Sequence, residues 1–274
     1  MDVRFSTKPA VATITRGFHP GAISQPAPFV DVFGLRVENT DLRSATERIV
    51  DAAVSETPLS VGFVNAHLIN LLNDGDISQD TLKEFDLFFG DGIGVALAAR
   101  LNGTKLVDNV NGTDMFDVLC EQATDARQPM FFFGGKPGIA EVAAKKAEAE
   151  FGIQVVGTCH GYRKGRDEDI INEINASGAK ILLVAMGMPI QEEWIAKHRS
   201  SLKPIVIIAV GGLFDFVSGQ ISRAPKAVRK LHMEWMWRLA NEPRRLFARY
   251  VIGGPRFLFD VVRMRAKLAQ HNAH

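Results

Sequence analysis

Asp91 follows directly on an apolar run and lies between Gly90 and Gly92. The run before it, residues 85–89, is apolar at nearly every position, which is typical of a strand covered on both faces of a sheet. The neighbouring glycines leave the carboxylate accessible and let the backbone approach a ligand closely. This carboxylate could accept a proton from an attacking hydroxyl group. It could also cap the helix that follows, and an Asp-Gly pair after a strand, judged alone, favours this capping interpretation.

Polar or glycine-rich segments also follow other apolar runs. In a parallel sheet the loops beyond the carboxyl ends of the strands form the ligand site. The segments are Asn65–His67, Gly134–Gly138, Gly187–Glu192 and Gly211–Asp215. The loop Gly134–Gly138 could bind a phosphate group at a helix start, or it could be a tight turn. It matches neither the dinucleotide fingerprint nor the Walker loop.

We predict no metal site. Asp74 and Asp76 have the DxD spacing of a metal-binding pair, but they follow a helical pattern, and we interpret them as a solvated turn. Cys120 and Cys159 lie far apart and indicate a reducing compartment more than a disulfide framework. The histidines show no ligand spacing.

Apolar runs that alternate with helical patterns must position these loops. The predicted strands are Leu59–Val64, Phe85–Phe89, Met130–Phe133, Gln154–Gly157, Lys180–Met186 and Ile205–Val210. The predicted helices include Leu42–Ser55, Asp114–Ala126 with Thr113 as its cap, Ile139–Phe151 and Asp167–Asn175. This alternation predicts an α/β fold with a mainly parallel, Rossmann-like sheet and helices on both faces.

Composition divides the chain into three parts. Residues 1–28 lack a continuous apolar stretch, and we predict a flexible tail. Residues 29–222 form the predicted catalytic domain, and residues 223–274 form a helical, basic appendage. From Arg223 to Lys267, twelve basic residues oppose three acidic ones on a chain of net charge +1. This asymmetry indicates an anionic partner, which could be nucleic acid, phospholipid or a diphosphate.

The apolar residues of the appendage recur at helical spacing between arginines. They could pack a helical subdomain onto the sheet. They could also form a basic amphipathic surface with Trp235, Trp237 and Tyr250 at a membrane interface, and the two interpretations are compatible. No apolar run is long enough to cross a bilayer, so we expect any membrane contact to be peripheral.

Taken together, the segments from about Val30 to Arg265 resemble the WecG/TagA/CpsF bacterial glycosyltransferases, glycosyltransferase family 26. The order and spacing of all the segments, more than any one of them, make the resemblance specific. Beside the strand-end loops, it rests on Gly112–Asp114, Val156–Tyr162, Arg223–Pro225, Glu234–Leu239, Glu242–Leu246 and Arg249–Tyr250.

The resemblance implies a Rossmann-like enzyme with a helical appendage (GT-E-like) that inverts the anomeric centre without a metal or other cofactor. It implies a UDP-sugar donor that carries a hexose or N-acetylhexosamine-type sugar, and a glycan acceptor on a polyprenyl diphosphate. The partner surface would be an anionic membrane on the cytoplasmic face of the inner membrane, with no nucleic acid. The oligomeric state stays open.

The resemblance also assigns site residues. Asp91 would be the general base. By the same resemblance, Asn65 and Gln191 would line the pocket, and the arginines near the phosphates would be Arg238, Arg244, Arg245 and Arg249. The strand-end loops add further predicted substrate-binding residues: Gly92, Gly134, Gly135, Gly211, Gly212 and Asp215. Two positions depart from many relatives: Phe63 stands where they have Thr, and Asn109 stands where they have Arg. We expect these departures to alter the contacts with the donor sugar.

Two other functions are compatible with parts of the sequence. A nucleotide-dependent oxidoreductase could use a similar sheet, but the dinucleotide fingerprint is missing. A non-catalytic module could bind nucleic acid or membrane through the basic residues. That second alternative leaves the polar loops at the strand ends unexplained.

Overall fold

One sheet of eight strands organises the protein in the computed structural model, which describes residues 28–163, 165–225, 228 and 233–271. The predicted tail therefore lies almost wholly outside the described residues. The strands are β1 (Phe29–Val32), β2 (Leu35–Glu38), β3 (Leu59–Val64), β4 (Leu87–Gly90), β5 (Met130–Gly134), β6 (Val155–Cys159), β7 (Ile181–Ala185) and β8 (Val206–Ala209). Their spatial order is β1-β2-β4-β3-β8-β7-β5-β6.

All neighbouring strands are parallel except β1 and β2. The predicted mainly parallel α/β sheet is confirmed, and each of the six predicted strands is present within two residues of its expected bounds. The antiparallel pair at the edge was missed. Its tight turn places Phe33 and Gly34 at φ values of 55° and 81°, and a phenylalanine is a rare residue for that conformation.

The helices lie on both faces of the sheet. They are α1 (Leu42–Val54), α2 (Ala66–Asp74), α3 (Gln79–Lys83), α4 (Ile93–Leu101), α5 (Gly112–Asp125), α6 (Ile139–Phe151), α7 (Asp167–Ala176), α8 (Ile190–His198), α9 (Leu213–Val217), α10 (Glu234–Asn241), α11 (Pro243–Phe247) and α12 (Gly253–His271). A 3-10 turn spans Arg199–Ser201, and a π-helical turn spans Ala248–Ile252. The predicted cap of α5 was wrong: Asn111, not Thr113, accepts the first-turn amide hydrogens.

The core has two apolar layers, one on each face of the sheet. Helices α1, α5, α6 and α9 cover one layer, and helices α2, α3, α4, α7, α8 and α12 cover the other. Successive strand residues alternate between them: Phe132 packs in the first layer, and Phe131 and Phe133 pack in the second. This double coverage explains the nearly continuous apolar runs.

The last helix, α12, packs against the second layer. Phe257 is 1% exposed, and a side chain at Gly94 of α4 would lie 3.1 Å from its ring. Asn70 of α2 donates a hydrogen bond of 2.8 Å to the carbonyl of Gly253. Arg256 forms an ion pair with Asp74, which lies in the predicted exposed turn. The C-terminal region is therefore helical, as predicted, and its last helix shares a core with the sheet.

No helix in the described ranges combines the length and the apolar character needed to cross a bilayer.

Candidate active site

Asp91 lies at the carboxyl end of β4, at the start of the loop into α4. Its backbone amide donates to the carbonyl of Val64 at 2.8 Å, which joins this loop to the end of the neighbouring strand β3. Gly92 has a φ of 94°, a conformation that favours glycine, and its amide donates to Oδ1 of Asn109 at 2.6 Å. Both residues around the turn are thus held by neighbouring loops, and Asp91 is half-buried as a residue.

Asn65 fixes the Asp91 carboxylate from the end of β3. Its Oδ1 accepts the amide hydrogens of His67 and Leu68, each at 3.0 Å, and thereby caps α2. Because Oδ1 is committed to these two amides, Nδ2 is turned toward Asp91 and donates to its Oδ2 at 3.3 Å. The two predicted residues are therefore in contact, since β3 and β4 are parallel neighbours.

Burial raises the pKa of the Asp91 carboxyl above its usual range, and Asp114 acts in the same direction. The hydrogen bond from Asn65 and the positive charges of Arg249 and Arg238 oppose that rise. A raised pKa increases the affinity of the ionised carboxylate for a proton, which suits a general base.

Two arginines of the C-terminal helices come close to this carboxylate. Arg249 lies in the π-helical turn, where burial and the charges of Arg238 and Arg245 lower its pKa against the opposing charge of Asp91. Arg238 of α10 lies over the ring of Phe216, with its guanidinium carbon 5.1 Å from the ring centroid. Among the described residues, Nε of Arg238 and Nε of Arg249 find no hydrogen-bond partner although both atoms are buried. Such cations are suited to bind an anion.

The other two predicted arginines do not join the site. Arg244 and Arg245 of α11 are exposed, and Arg245 forms an ion pair with Glu242 at 2.6 Å. Their side chains therefore face solvent, whereas Arg249, in the π-helical turn that follows directly, lies close to Asp91.

The loop after β8 contacts the same arginine group. A side chain at Gly212 would lie 3.8 Å from Oδ2 of Asp215 and 4.0 Å from Nη2 of Arg238. These three residues therefore lie close together at the carboxyl edge of the sheet.

Gln191 is fully buried and connects two loops instead of lining an open pocket. Its Oε1 accepts the amide hydrogen of Gly187, after β7, at 3.2 Å, and that of Gly211, after β8, at 2.9 Å. Its Nε2 donates to Oε1 of Glu192 at 2.8 Å. The position of Gln191 indicates a role in shaping the loops.

The loop after β5 packs tightly on β7. Gly134 has a φ of 134°, and a Cβ atom there would lie 2.2 Å from the carbonyl oxygen of Ala185, so no other residue fits. The amide of Gly135 donates to that same oxygen at 2.8 Å. The amides of Gly92, Gly135, Gly187 and Gly211 are thus all engaged within the protein.

Several helices that follow the site strands begin without a side-chain cap. Among the described helices, α4, α6, α8 and α9, which follow β4, β5, β7 and β8, have none. The same holds for α7, α10 and α11, whereas α2, which follows β3, is capped by the site residue Asn65. Uncapped starts therefore do not distinguish the site from the rest of the described structure.

The structure draws attention to two residues that belong to the strand-end segments but were not predicted as site residues. Burial and the charge of Arg249 lower the pKa of His67 to about 4, so this histidine beside Asn65 is neutral at pH 7. Its position two residues after Asn65 was the only available signal. Glu192 is 1% exposed, although an acidic residue in the first turn of a helix usually faces solvent.

The two departures from the family pattern have different surroundings. Asn109 contacts the site loop directly, through the amide of Gly92. Phe63 instead packs in the core against Phe89, with ring centroids 6.2 Å apart. An effect on the donor sugar is therefore more direct at position 109.

No group of three or more His, Cys, Asp or Glu side chains suited to a metal ion occurs in the ranges that the structure describes. A reaction without a metal stays a prediction.

Comparison with known proteins identifies the family. The sequence model of the glycosyl transferase WecG/TagA/CpsF family matches residues 30–271. A relative in Bacillus spizizenii, named N-acetylglucosaminyldiphosphoundecaprenol N-acetyl-β-D-mannosaminyltransferase, is 32% identical over 186 residues, which cover 68% of this chain and 71% of the relative. Of the three functions considered from the sequence, this finding supports glycosyl transfer. The chain belongs to the WecG/TagA/CpsF family and is a glycosyltransferase.

Proposed function

We propose that the protein transfers a hexose or N-acetylhexosamine-type sugar from a UDP-sugar to a polyprenyl-diphosphate-linked glycan, with inversion and with Asp91 as the general base. The observation that carries the proposal is the arrangement at the sheet edge. Asn65 holds the Asp91 carboxylate, and two arginines with unpartnered Nε atoms in the described structure lie beside it.

The reaction would be a single displacement. An acceptor hydroxyl group gives its proton to Asp91 while its oxygen attacks the anomeric carbon of the donor. The bond from that carbon to the diphosphate oxygen breaks on the opposite face, and UDP leaves with the bonding electrons. Arg238 and Arg249 stabilise the charge that develops on the diphosphate, because a fixed cation costs little reorganisation in the transition state.

The relative in Bacillus spizizenii suggests the acceptor to test first. Its name describes transfer of N-acetyl-β-D-mannosamine to N-acetylglucosaminyldiphosphoundecaprenol. We propose the same class of lipid-linked acceptor for this chain, as a step in the synthesis of a cell-envelope polysaccharide. Asn109 is the first position at which to look for a different donor sugar, because it contacts the loop of Asp91.

We further propose that residues 223–274 form an appendage that binds the cytoplasmic face of the inner membrane peripherally. Several large apolar side chains there are exposed beside the basic residues, and a surface of this composition favours an anionic bilayer. They are Trp235, Met236, Phe247, Ile252, Phe259 and Val262. A lipid-linked acceptor would reach the site along that surface.

Vesicle binding tests the membrane proposal. The double change Ile252→Ser and Phe259→Ser removes two side chains that are 60% and 66% exposed, and it should weaken binding to vesicles with anionic lipid. Val54→Ser, at a 55% exposed position of α1, is the matched control. Equal vesicle binding by all three proteins would contradict the proposal. Deleting the whole appendage is a poorer test, since it removes Phe257 from the core.

A UDP-release assay tests the reaction itself. The protein is incubated with each of several UDP-sugars, with and without N-acetylglucosaminyl diphosphate on a short polyprenyl chain. We expect acceptor-dependent release of UDP with one sugar. Equal release in the presence and absence of acceptor, or UDP binding too weak to detect by calorimetry, would contradict the proposed donor and acceptor.

A further inference from the structure

Glu192, in the first turn of α8, is a buried carboxyl group that the proposed reaction does not use. It is 1% exposed, and its Oε1 accepts a hydrogen bond of 2.8 Å from Nε2 of Gln191. Its Oε2 has no hydrogen-bond partner among the described residues. Burying such a group destabilises the fold unless it is compensated, so its presence here calls for a physical reason.

The reason lies in the two ends of the Gln191 amide group. Its oxygen accepts both loop amides, from Gly187 and Gly211, while its nitrogen faces Glu192. If the amide group rotated by half a turn, its NH₂ would face two N–H donors, and neither could form a hydrogen bond. Glu192 presents an acceptor to the NH₂ group of Gln191 and therefore strengthens the preference for the orientation that satisfies both loops.

These two loops form part of the candidate site. Gly187 and Gly211 have φ values of 77° and 62°, so the paths of their loops depend on a left-handed backbone. The loop after β8 continues into Gly212, which lies beside Arg238 and Asp215. A change at Gln191 would therefore be transmitted to the place where we expect the diphosphate of the donor.

We infer that Glu192 is a positioning residue for donor binding: it orients the Gln191 amide, which holds the loops after β7 and β8 in the shape that receives UDP. This inference rests on the proposed function for the identity of the ligand. Glu192 acts through Gln191 and does not itself exchange a proton with the substrate.

The protonation of Glu192 is compatible with this role. Burial, with a smaller contribution from the charge of Glu193, raises its pKa to about 7, although the hydrogen bonds from Gln191 and from its own backbone amide and the charge of Arg249 oppose the rise. Whether Glu192 is charged or neutral, Oε1 can accept from Gln191, because a protonated carboxyl group keeps one carbonyl oxygen. A glutamine side chain would offer the same acceptor at nearly the same volume, and leucine would not.

The first test compares the variants Glu192→Leu and Glu192→Gln by NMR spectroscopy, with the amide of Gly187 as the reporter for the loop after β7. Met186-Gly187 is the only Met–Gly pair in the sequence, so labelling Met at the carbonyl carbon and Gly at the nitrogen yields a single amide signal, that of Gly187. We expect Glu192→Leu to shift this signal and Glu192→Gln to leave it close to the wild-type position.

Calorimetric titration with UDP supplies the second measurement. We expect Glu192→Leu to weaken UDP binding about tenfold, the usual scale of a buried hydrogen-bonded group that loses its partner, and Glu192→Gln to bind within about threefold of the wild type. An unchanged Gly187 signal in Glu192→Leu would overturn the inference. So would a shifted signal with unchanged UDP affinity.

An exchange of the two side chains covers the case in which Glu192→Leu does not fold. Gln191→Glu alone places two carboxyl groups together and should weaken UDP binding. The double change Gln191→Glu and Glu192→Gln restores one donor facing one acceptor and should recover most of that loss; no recovery would overturn the inference. If the wild type bound no UDP, the proposed donor would be wrong, while the Gly187 signal would still decide whether Glu192 orients Gln191.

Discussion

The strand-end loops and the C-terminal helices both contribute to the candidate site, but they differ in how far their polar groups are hydrogen-bonded within the protein. In the loops, Asn65 and Gln191 use both ends of their amide groups, and four glycine amides are engaged within the protein. In the C-terminal helices, Arg238 and Arg249 keep Nε atoms without a partner in the described structure. These loop groups have their hydrogen-bond partners before substrate binds, whereas each of the two arginines has a buried Nε atom that lacks one in the described structure.

This difference has a chemical reason. A general base must stand at one place relative to the acceptor hydroxyl, and internal hydrogen bonds fix it there without help from substrate. The diphosphate, by contrast, arrives with the donor, and its oxygens can supply the acceptors that the arginines lack. The comparison predicts that replacing the base impairs proton transfer, whereas replacing an inward arginine impairs stabilisation of the charge that develops on the leaving diphosphate.

The largest effect is expected from Asp91→Asn. The amide keeps the size of the side chain but cannot accept the proton, so kcat should fall by about 10²–10⁴-fold. UDP affinity should stay close to that of the wild type, and steady-state kinetics with calorimetry would measure both. Asp76→Asn, at an exposed turn, is the matched control. Near-normal turnover by a folded Asp91→Asn protein would show that another group is the base.

Phe257→Ala tests how firmly the C-terminal helices are attached. The ring is 1% exposed between α12 and α4, so its loss should lower the free energy of unfolding by about 3–5 kcal/mol. Phe259→Ala, two residues away and 66% exposed, should change it by less than about 0.5 kcal/mol. Urea unfolding followed by circular dichroism measures both. Similar values for the two proteins would mean that α12 does not share the core.

Arg249→Ala separates the inward arginine from its exposed neighbours. Removing a fixed cation from a developing charge typically lowers kcat by about 10²–10³-fold. Arg244→Ala removes an exposed arginine of α11 and should change kcat by less than about threefold. The same acceptor-dependent UDP-release assay compares the two. Equal losses would remove the distinction between inward and outward arginines.

The smallest effect is a shift in the pH profile. Asp91 must be ionised to accept a proton, and burial raises its pKa, so kcat/KM should fall as the pH drops through a value above the usual 3.9 or so of an aspartate. Arg249 lowers that pKa. Its replacement in Arg249→Gln should therefore move the acidic limb of the profile to higher pH, and Arg244→Gln should leave it in place. An acidic limb that moves to lower pH would contradict the electrostatic link between Arg249 and Asp91.

The sequence predicts the sheet and the meeting of Asn65 with Asp91 because both depend on local patterns. Doubly covered strands are apolar throughout, and the ends of parallel neighbours meet at one edge. The edge hairpin was harder to predict from the sequence, because its turn has Phe33 at a position where glycine or asparagine is usual.

The inward and outward directions of the arginines were beyond sequence reasoning. Arg244, Arg245 and Arg249 occur in one continuous basic segment, and an ordinary helical period does not single out the last of them. The π-helical turn at Ala248–Ile252 changes the phase of the helix at Arg249, and its position depends on tertiary packing. The burial of Glu192 has the same origin, because it depends on how α8 packs between the loops and the second core layer.

The hydrogen bond between Asn70 and Gly253 joins residues that are 183 positions apart, and this separation affects folding during synthesis on the ribosome. At typical synthesis rates of about 5–20 residues per second, roughly 10–40 s separate the two residues. Throughout that interval the apolar surface of α4 that Phe257 later covers has no partner from α12. We therefore expect ribosome stalling in the appendage to release a protein that has every strand of its sheet but lacks the part of its core that α12 contributes.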